Sequence, residues 1–328
     1  MRAVLCKEFG PPSSLVIEDV PDPVAGKGEV VVDVVAASVN YPDTLTIRNM
    51  YQFKPPLPFS PGGEFAGTVS AVGDGVTNVA VGDRVIAIQT AGGFAEKALI
   101  AQPQALIPVP DDMDLDAAAA WVMAYATSYY ALKDRAGARE GETVLVLGAA
   151  GGVGLASVDL GVALGLRVIA AASSDDKLEV CRRYGAAETI NYTTEDLKER
   201  VKEITGGAGA DIVVDPVGGP YSETALRATA WEGRFLVIGF AAGDIPRIPL
   251  NLTLLKGCDI KGVFWGSSTL REPERHRRNV LDLIEMYLGG VIRPHISARY
   301  TLEEAPQAIA DLLERRATGK VIVEVAKR

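Results

Sequence analysis

Cysteine is nearly missing from this sequence, with three in 328 residues, at positions 6, 181 and 258. An odd number of widely spaced cysteines excludes a disulfide framework and a Cys-rich zinc site, and fits a reducing cytoplasm. Histidine is scarcer still, at His276 and His295 only. Basic residues are outnumbered, 33 Lys and Arg against 42 Asp and Glu, for a net charge of −9. That balance argues against nucleic acid or an anionic membrane as a partner. Apolar runs are strand-sized and broken by glycine or charge, far short of the roughly eighteen residues a spanning helix needs, so no membrane span is expected. The opening Met1-Arg2-Ala3-Val4-Leu5-Cys6-Lys7-Glu8 reaches its Lys–Glu pair too early for a signal-peptide core. Neither the 34 glycines nor the 19 prolines gather into low-complexity tracts.

What is present changes texture along the chain. Up to about residue 110 the pattern is β: residues 28–38 (GEVVVDVVAAS), 64–72 and 84–89 read as strands, punctuated by Gly73-Asp74-Gly75, Val81-Gly82-Asp83 and Ala91-Gly92-Gly93. This spacing suggests a small barrel-like lobe. The proline-rich residues 55–61 cannot form a central strand and read as a surface loop. From Leu115 an Ala-rich helical segment is expected to about Lys133. Strands (143–147, 167–172, 188–191, 211–215, 235–239) then alternate with helical patterns, as in a parallel sheet covered on both faces. The chain ends with a charged helix over 272–288 and short strands at 297–301 and 321–325.

The most specific motif is Thr143-Val144-Leu145-Val146-Leu147-Gly148-Ala149-Ala150-Gly151-Gly152-Val153-Gly154. An apolar strand enters a glycine turn and the turn enters a helix. Its Ala149-x-Gly151-x-x-Gly154 spacing matches the dinucleotide fingerprint, with alanine in the first glycine's place. Gly151 would let the backbone approach a pyrophosphate, and Gly154 would let helix and strand pack closely. The helix N-terminus offers unpaired N–H groups to the anion. At the end of the next strand, where a site selective for NAD places an acid on the ribose hydroxyls, stands Ala172. Ser173, Ser174 and Lys177 follow, groups suited to a 2′-phosphate. NADPH is the expected cofactor.

Over nearly its whole length the sequence resembles the medium-chain dehydrogenase/reductase superfamily, in its zinc-free quinone oxidoreductase branch. The resemblance is carried, in order, by Ser38-Val39-Asn40-Tyr41-Pro42-Asp43-Thr44, Pro61-Gly62-Gly63-Glu64-Phe65-Ala66-Gly67, Gly82-Asp83-Arg84-Val85, the glycine turn, Asp215-Pro216-Val217-Gly218-Gly219 and Val263-Phe264-Trp265-Gly266. It implies an α/β protein with a GroES-like β-rich catalytic domain (residues 1–122 and 262–328) and an inserted Rossmann doubly wound parallel-sheet domain (123–261). It also implies an active site in the cleft between them. The zinc alcohol dehydrogenases of the superfamily have a cysteine near Asn40-Tyr41 and a histidine before the glutamate of the PGxE segment. Here that position is Gly63 and only Glu64 survives, so no metal site is expected.

The resemblance assigns site residues one by one. Asn40, Asp43 and Tyr51 fall at the catalytic positions, with Asn40 or Tyr51 as a hydrogen-bond donor to the acceptor's oxygen. Thr127, Ala150, Gly151, Gly152, Val153, Gly154, Ser173, Ser174, Lys177, Tyr192, Val217, Gly239, Phe240, Phe264, Trp265 and Gly266 fall at cofactor positions. Another tyrosine found in some quinone reductases is Leu45 here. The expected reaction is zinc-independent hydride transfer from NADPH to quinones or other activated alkenes. The alternatives are a short-chain enoyl-thioester reductase and a non-enzymatic, crystallin-like NADPH-binding protein. Residues 258–264, apolar at Ile260, Val263 and Phe264, should form the outermost strand of the parallel sheet and pair with a second copy, giving a homodimer. On this reading a proline at Val263 removes a ladder donor.

Overall fold

A computed structural model of the chain describes residues 1–326. It divides into two compact units, Met1–Met123 with Pro294–Arg328, and Ala124–Arg293. None of its helices is long and apolar enough to cross a membrane, among the described residues.

The first unit is organised by one long strand, Val30–Val39. Its β-branched residues suit a pleated, buried surface. Glu64–Val72 pairs antiparallel along nearly its whole length; Lys97–Ile100 pairs with its first half and Lys320–Glu324 with its second. Arg84–Ile88, Ile107–Pro108 and Ile296–Thr301 complete the seven-stranded sheet. Register is what matters for function. Ser38 lies opposite both Glu64 and Ile322, and Val39 opposite Val321. Continuing that register one step sets Lys320 level with Asn40, where the strand ends and the short helix Tyr41–Thr46 begins. Chain segments far apart in sequence therefore converge on one point.

The second unit is a six-stranded parallel sheet with helices on its faces. Numbered from Thr143–Leu147 in chain order, its strands lie 3-2-1-4-5-6, the doubly wound order. Its core is mostly aliphatic, with Leu145, Leu147, Ile169 and Val213 fully buried beside Phe235.

Three local features differ from expectation. The Ala-rich stretch is not one helix but two, Leu115–Ala119 and Val122–Tyr129, followed by a π-helical turn, Tyr130–Ala136. The break falls at the fully buried Trp121, and the new N-terminus is satisfied by Glu64, whose Oε1 accepts from Met123 N at 2.7 Å. Secondly, the chain leaves the second unit at Pro294 rather than at residue 262. The helix Pro273–Leu288 packs on the π segment: Asn279 Nδ2 donates to Asp134 (2.6 Å), and Asp282 accepts from Lys133 (2.6 Å) and Tyr129 (3.0 Å). Arg293 N donates to Asp159.

The third difference concerns the last strand. Asp259–Gly262 is indeed outermost, parallel to Thr229–Val237. However, Val263 N donates inward to Val237 O at 2.9 Å, so a proline there would cut the protein's own ladder. By the two-residue alternation of a strand, the outward groups belong to Ile260 and Gly262, and Gly262 O already accepts from Arg135 Nε.

Candidate active site

In the first unit, converging strands build a closed polar cluster under the start of the helix Tyr41–Thr46. Glu64 Oε2 accepts from Ser38 Oγ (2.5 Å), Asn40 Nδ2 (3.0 Å) and Lys320 Nζ (3.1 Å). Lys320 Nζ also donates to Asn40 Oδ1 at 2.5 Å, and Asn40 Nδ2 to Ser38 Oγ at 2.9 Å. All four residues are buried. Beside them Asp43 accepts from Asn40 N (2.7 Å) and Gly63 N (3.0 Å). Burial pushes the Asp43 carboxyl up to about 6, against those backbone donors and the Lys320 charge, which favour the carboxylate. Tyr51 is half-buried, edge-on to Phe53 at 5.9 Å between centroids. Burial and then the Asp43 charge push its phenol up, which keeps it a donor at neutral pH.

The Asn40 amide nitrogen donates toward both Ser38 Oγ and Glu64 Oε2, which are themselves joined by a hydrogen bond. Asn40 is thus a node of the scaffold and also precedes the helix as its cap residue. Of the three residues assigned to catalysis, Tyr51 also carries a donor, its phenol O–H. The involvement of Lys320 was missed, because it sits 280 residues from Asn40 and only sheet register brings them together. The pairing of the 321–325 strand with the long strand would have been the signal.

Nor does this cluster fit a zinc ion. Gly63 leaves no ligand, and a Cβ there would lie 2.8 Å from Gln89 O. The remaining acid, Glu64, is already engaged by an ammonium, an amide, a hydroxyl and a backbone N–H. Among the described residues no group of three or more His, Cys, Asp or Glu could hold a metal.

In the second unit the assigned cofactor residues collect at the carboxyl edge of the parallel sheet, where such sheets bind ligands. Gly148, at φ 56°, turns the chain out of the first strand. Gly151 N returns to Gly148 O (2.9 Å), and the helix Gly152–Ala163 starts with Gly151 as its cap residue. Ala150 is buried while Gly151, Gly152 and Val153 are half-buried, leaving the turn's backbone partly open. Thr127 lies on the helix Val122–Tyr129, whose next residue, Ser128, donates to Val153 O at 3.0 Å; this fastens that helix to the glycine turn.

At the end of the second strand Ala172 is buried; Ser173 and the cap residue Ser174 precede the helix Asp175–Arg183, which carries Lys177 in its first turn. Lys177 Nζ donates to Ser173 Oγ at 3.3 Å. Tyr192 N donates to Ala172 O (3.2 Å), and its ring lies 4.3 Å from that of Tyr221. The nearby acid, Asp175, accepts from Asn191 Nδ2 at 2.9 Å. Further along the edge, Asp215 accepts from Val217 N, Gly218 N and Ser222 Oγ, fixing the loop that carries Val217 beside Gly148. Phe240 packs on Gly218, and Gly239 precedes it. Phe264 is half-exposed, with Gly266 in the helix that follows it. Trp265 instead faces inward, buried and edge-on to His276 at 5.5 Å, so it is a packing residue.

Residues 26–111 match the model of the alcohol dehydrogenase GroES-like domain, and residues 152–285 that of the zinc-binding dehydrogenases. The chain is 40% identical, over 98% of its length and 88% of the relative's, to a quinone oxidoreductase-like protein 2 homolog of Nematostella vectensis. It is 35% identical to the quinone oxidoreductase of Rattus norvegicus, covering 98% and 97% of the two chains. The structure of Escherichia coli quinone oxidoreductase complexed with NADPH superposes with a TM-score of 0.92 at 27% identity, covering 99% of this chain and 100% of that one. The chain belongs to the medium-chain dehydrogenase/reductase superfamily, in its quinone oxidoreductase branch.

Proposed function

We propose that this protein is an NADPH-dependent, zinc-independent reductase of quinones or other activated alkenes. The observation that carries the reading is the pairing of a glycine turn at the sheet's switch point with a strand end that lacks an acid, at Ala172, and presents Ser173 and Lys177. Bound there, NADPH would supply a hydride to an electron-poor carbon. The chain's own part is placement and charge stabilisation. Gly152 to Gly154 hold the pyrophosphate on backbone N–H groups, and Gly151, without a side chain, lets it approach. Lys177, Ser173 and Tyr192 surround the ribose phosphate. Tyr51, kept protonated, donates to the acceptor's oxygen as charge builds there. The exposed apolar residues of its loop, Met50, Phe53 and Leu57, suit a planar apolar acceptor. Stopped-flow oxidation of NADPH against quinones, enones and enoyl thioesters tests the reading. Saturation with quinones or enones supports it, saturation with thioesters alone makes the protein an enoyl-thioester reductase, and tight NADPH binding with no turnover would reject catalysis.

Cofactor choice has its own test. Lys177→Ala removes one charge-assisted contact, worth about 1.5–3 kcal/mol, so NADPH affinity should fall roughly 10- to 150-fold while NADH affinity stays nearly unchanged. Equal loss for both cofactors in titrations would place the 2′-phosphate elsewhere. Metal independence follows from the occupied Glu64: exhaustive chelation should leave activity intact, and elemental analysis should find far less than one zinc per chain.

We further infer a cytoplasmic homodimer built on the last strand of the parallel sheet. Large apolar side chains are exposed on that strand and the segments flanking it, including Ile260, Phe264, Leu254, Leu255 and Trp231. Trp231 lies against Gly257, which ends the helix Asn251–Lys256 leading into the strand. Ile260→Pro, which removes an outward N–H and spares the inward bond of Val263, should shift the protein toward monomer in light scattering. A monodisperse wild-type monomer at micromolar concentration would reject the dimer.

A further inference from the structure

Lys320 is 4% exposed, a degree of burial that lysine rarely accepts, and it serves neither the surface nor the cofactor loop. Its ammonium bonds two residues at once, Asn40 Oδ1 and Glu64 Oε2. Stability is a weak explanation. A buried ion pair can often be replaced by apolar side chains at little or no cost, because desolvation offsets most of the attraction. What a fixed cation supplies here is orientation. The amide of Asn40 is held between the ammonium on its oxygen side and the Glu64 carboxylate on its nitrogen side. The backbone N–H of Asn40 in turn fixes Asp43, whose other oxygen holds Gly63 N. Through its second oxygen Glu64 holds Met123 N, in the first turn of the helix that continues to Thr127.

We propose that Lys320 is a positioning residue for the reductase reaction, an internal cation that fixes Asn40 and Glu64 and, through them, the Asp43 turn and the N-terminus of the Thr127 helix. This rests on the reductase reading above. Lys320 need touch no reactant, since its effect passes through the residues it holds. The charged or polar groups facing Asp43 are Lys320, the Tyr51 phenol and the backbone N–H groups of Asn40, Gly62 and Gly63. Loss of the ammonium therefore also removes a side-chain cation that favours the Asp43 carboxylate.

The test is a double-mutant cycle of Lys320→Met and Glu64→Gln in the full chain. Lys320→Met should lower kcat with a benzoquinone at least tenfold, leave the NADPH Kd within about twofold, and move the acid limb of the pH–rate profile upward. In the Glu64→Gln background, where the Glu64 charge is gone, the same substitution should cost a similar factor. If that cost vanishes in the Glu64→Gln background, Lys320 only balances the charge of Glu64 and the proposal is overturned. Should Lys320→Met alone fail to fold, the comparison of Glu64→Gln with the double variant carries the test. Hydrogen exchange of the Met123 amide reads the same geometry without turnover: faster exchange on loss of Lys320 in the Glu64→Gln background supports the proposal, and unchanged exchange overturns it. If the wild-type protein reduces no acceptor, the reductase reading fails by itself, and Met123 exchange decides whether Lys320 holds this scaffold.

Discussion

Gly154→Ala should abolish tight NADPH binding and lower the melting temperature, whereas Gly151→Ala should weaken binding and leave the fold alone. The contrast comes from what each new methyl group would meet. At Gly154 a Cβ would lie 2.2 Å from Gly148 O, 2.8 Å from Gly148 C and 2.9 Å from Ala149 Cα. These are backbone atoms of the turn, so no side-chain rotation relieves the overlap; the helix must move away from the strand. Overpacking of this kind costs about 1–3 kcal/mol or more, which corresponds to roughly 3–10 °C in a domain of this size. Because the same backbone forms the anion cradle, affinity should fall at least about 100-fold. At Gly151 the nearest atom to a new Cβ is Gly148 O at 3.3 Å, a contact that a shift of a few tenths of an ångström relieves. The folded protein therefore tolerates a methyl group there, and any loss of affinity must come from the ligand. A drop of about 10- to 100-fold with the melting temperature nearly unchanged is expected by calorimetry. Wild-type affinity in Gly151→Ala would mean that the pyrophosphate does not sit on this turn.

These two glycines were legible in the sequence because their constraint is local: strand, turn and helix follow within a dozen residues. The same locality exposed the alternating strands and helices, the coil nature of residues 55–61 and the outermost position of the last strand. Features that depend on register were not legible. Val263 faces into the sheet rather than out of it, and in a strand one residue is the whole difference between an internal bond and a free edge. The contacts of Asn40 were hidden for the same reason, since its neighbours in space, Ser38 excepted, come from other strands. The Ala-rich segment looked like one helix by propensity, yet the burial of Trp121 and the Glu64–Met123 bond divide it. The helix Pro273–Leu288 was visible, but its attachment depends on Asp134, Lys133 and Tyr129, about 145 to 153 residues earlier.

A clasp of the same long-range kind should dominate the acid sensitivity of the second unit. Glu142, just before the first parallel strand, accepts from Arg234 through both carboxylate oxygens (3.1 and 2.6 Å), across 92 residues of chain. Arg139 adds a backbone N–H at 2.9 Å and side-chain bonds from an exposed guanidinium. Burial alone would raise the Glu142 carboxyl, but the hydrogen bonds from Arg234 and Arg139 hold it down at about 2, against 4.5 for the free side chain. A folded-state value below the unfolded one stabilises the protein above pH 4.5, and that stability is lost as the pH falls from 4.5 toward 2. The full shift corresponds to about 3 kcal/mol, and screening of the exposed Arg139 reduces it to about 2. Glu142→Gln also leaves the Arg234 guanidinium, 13% exposed, without its counter-charge, so the loss at pH 7 should reach about 2–4 kcal/mol. Thermal melts at pH 7 should place the variant roughly 5–12 °C below wild type, a gap that narrows steadily below pH 4.5. A gap independent of pH would show that Glu142 acts as a packed side chain and not through its charge, and the acid limb of stability would then belong to the sheet's other carboxylates.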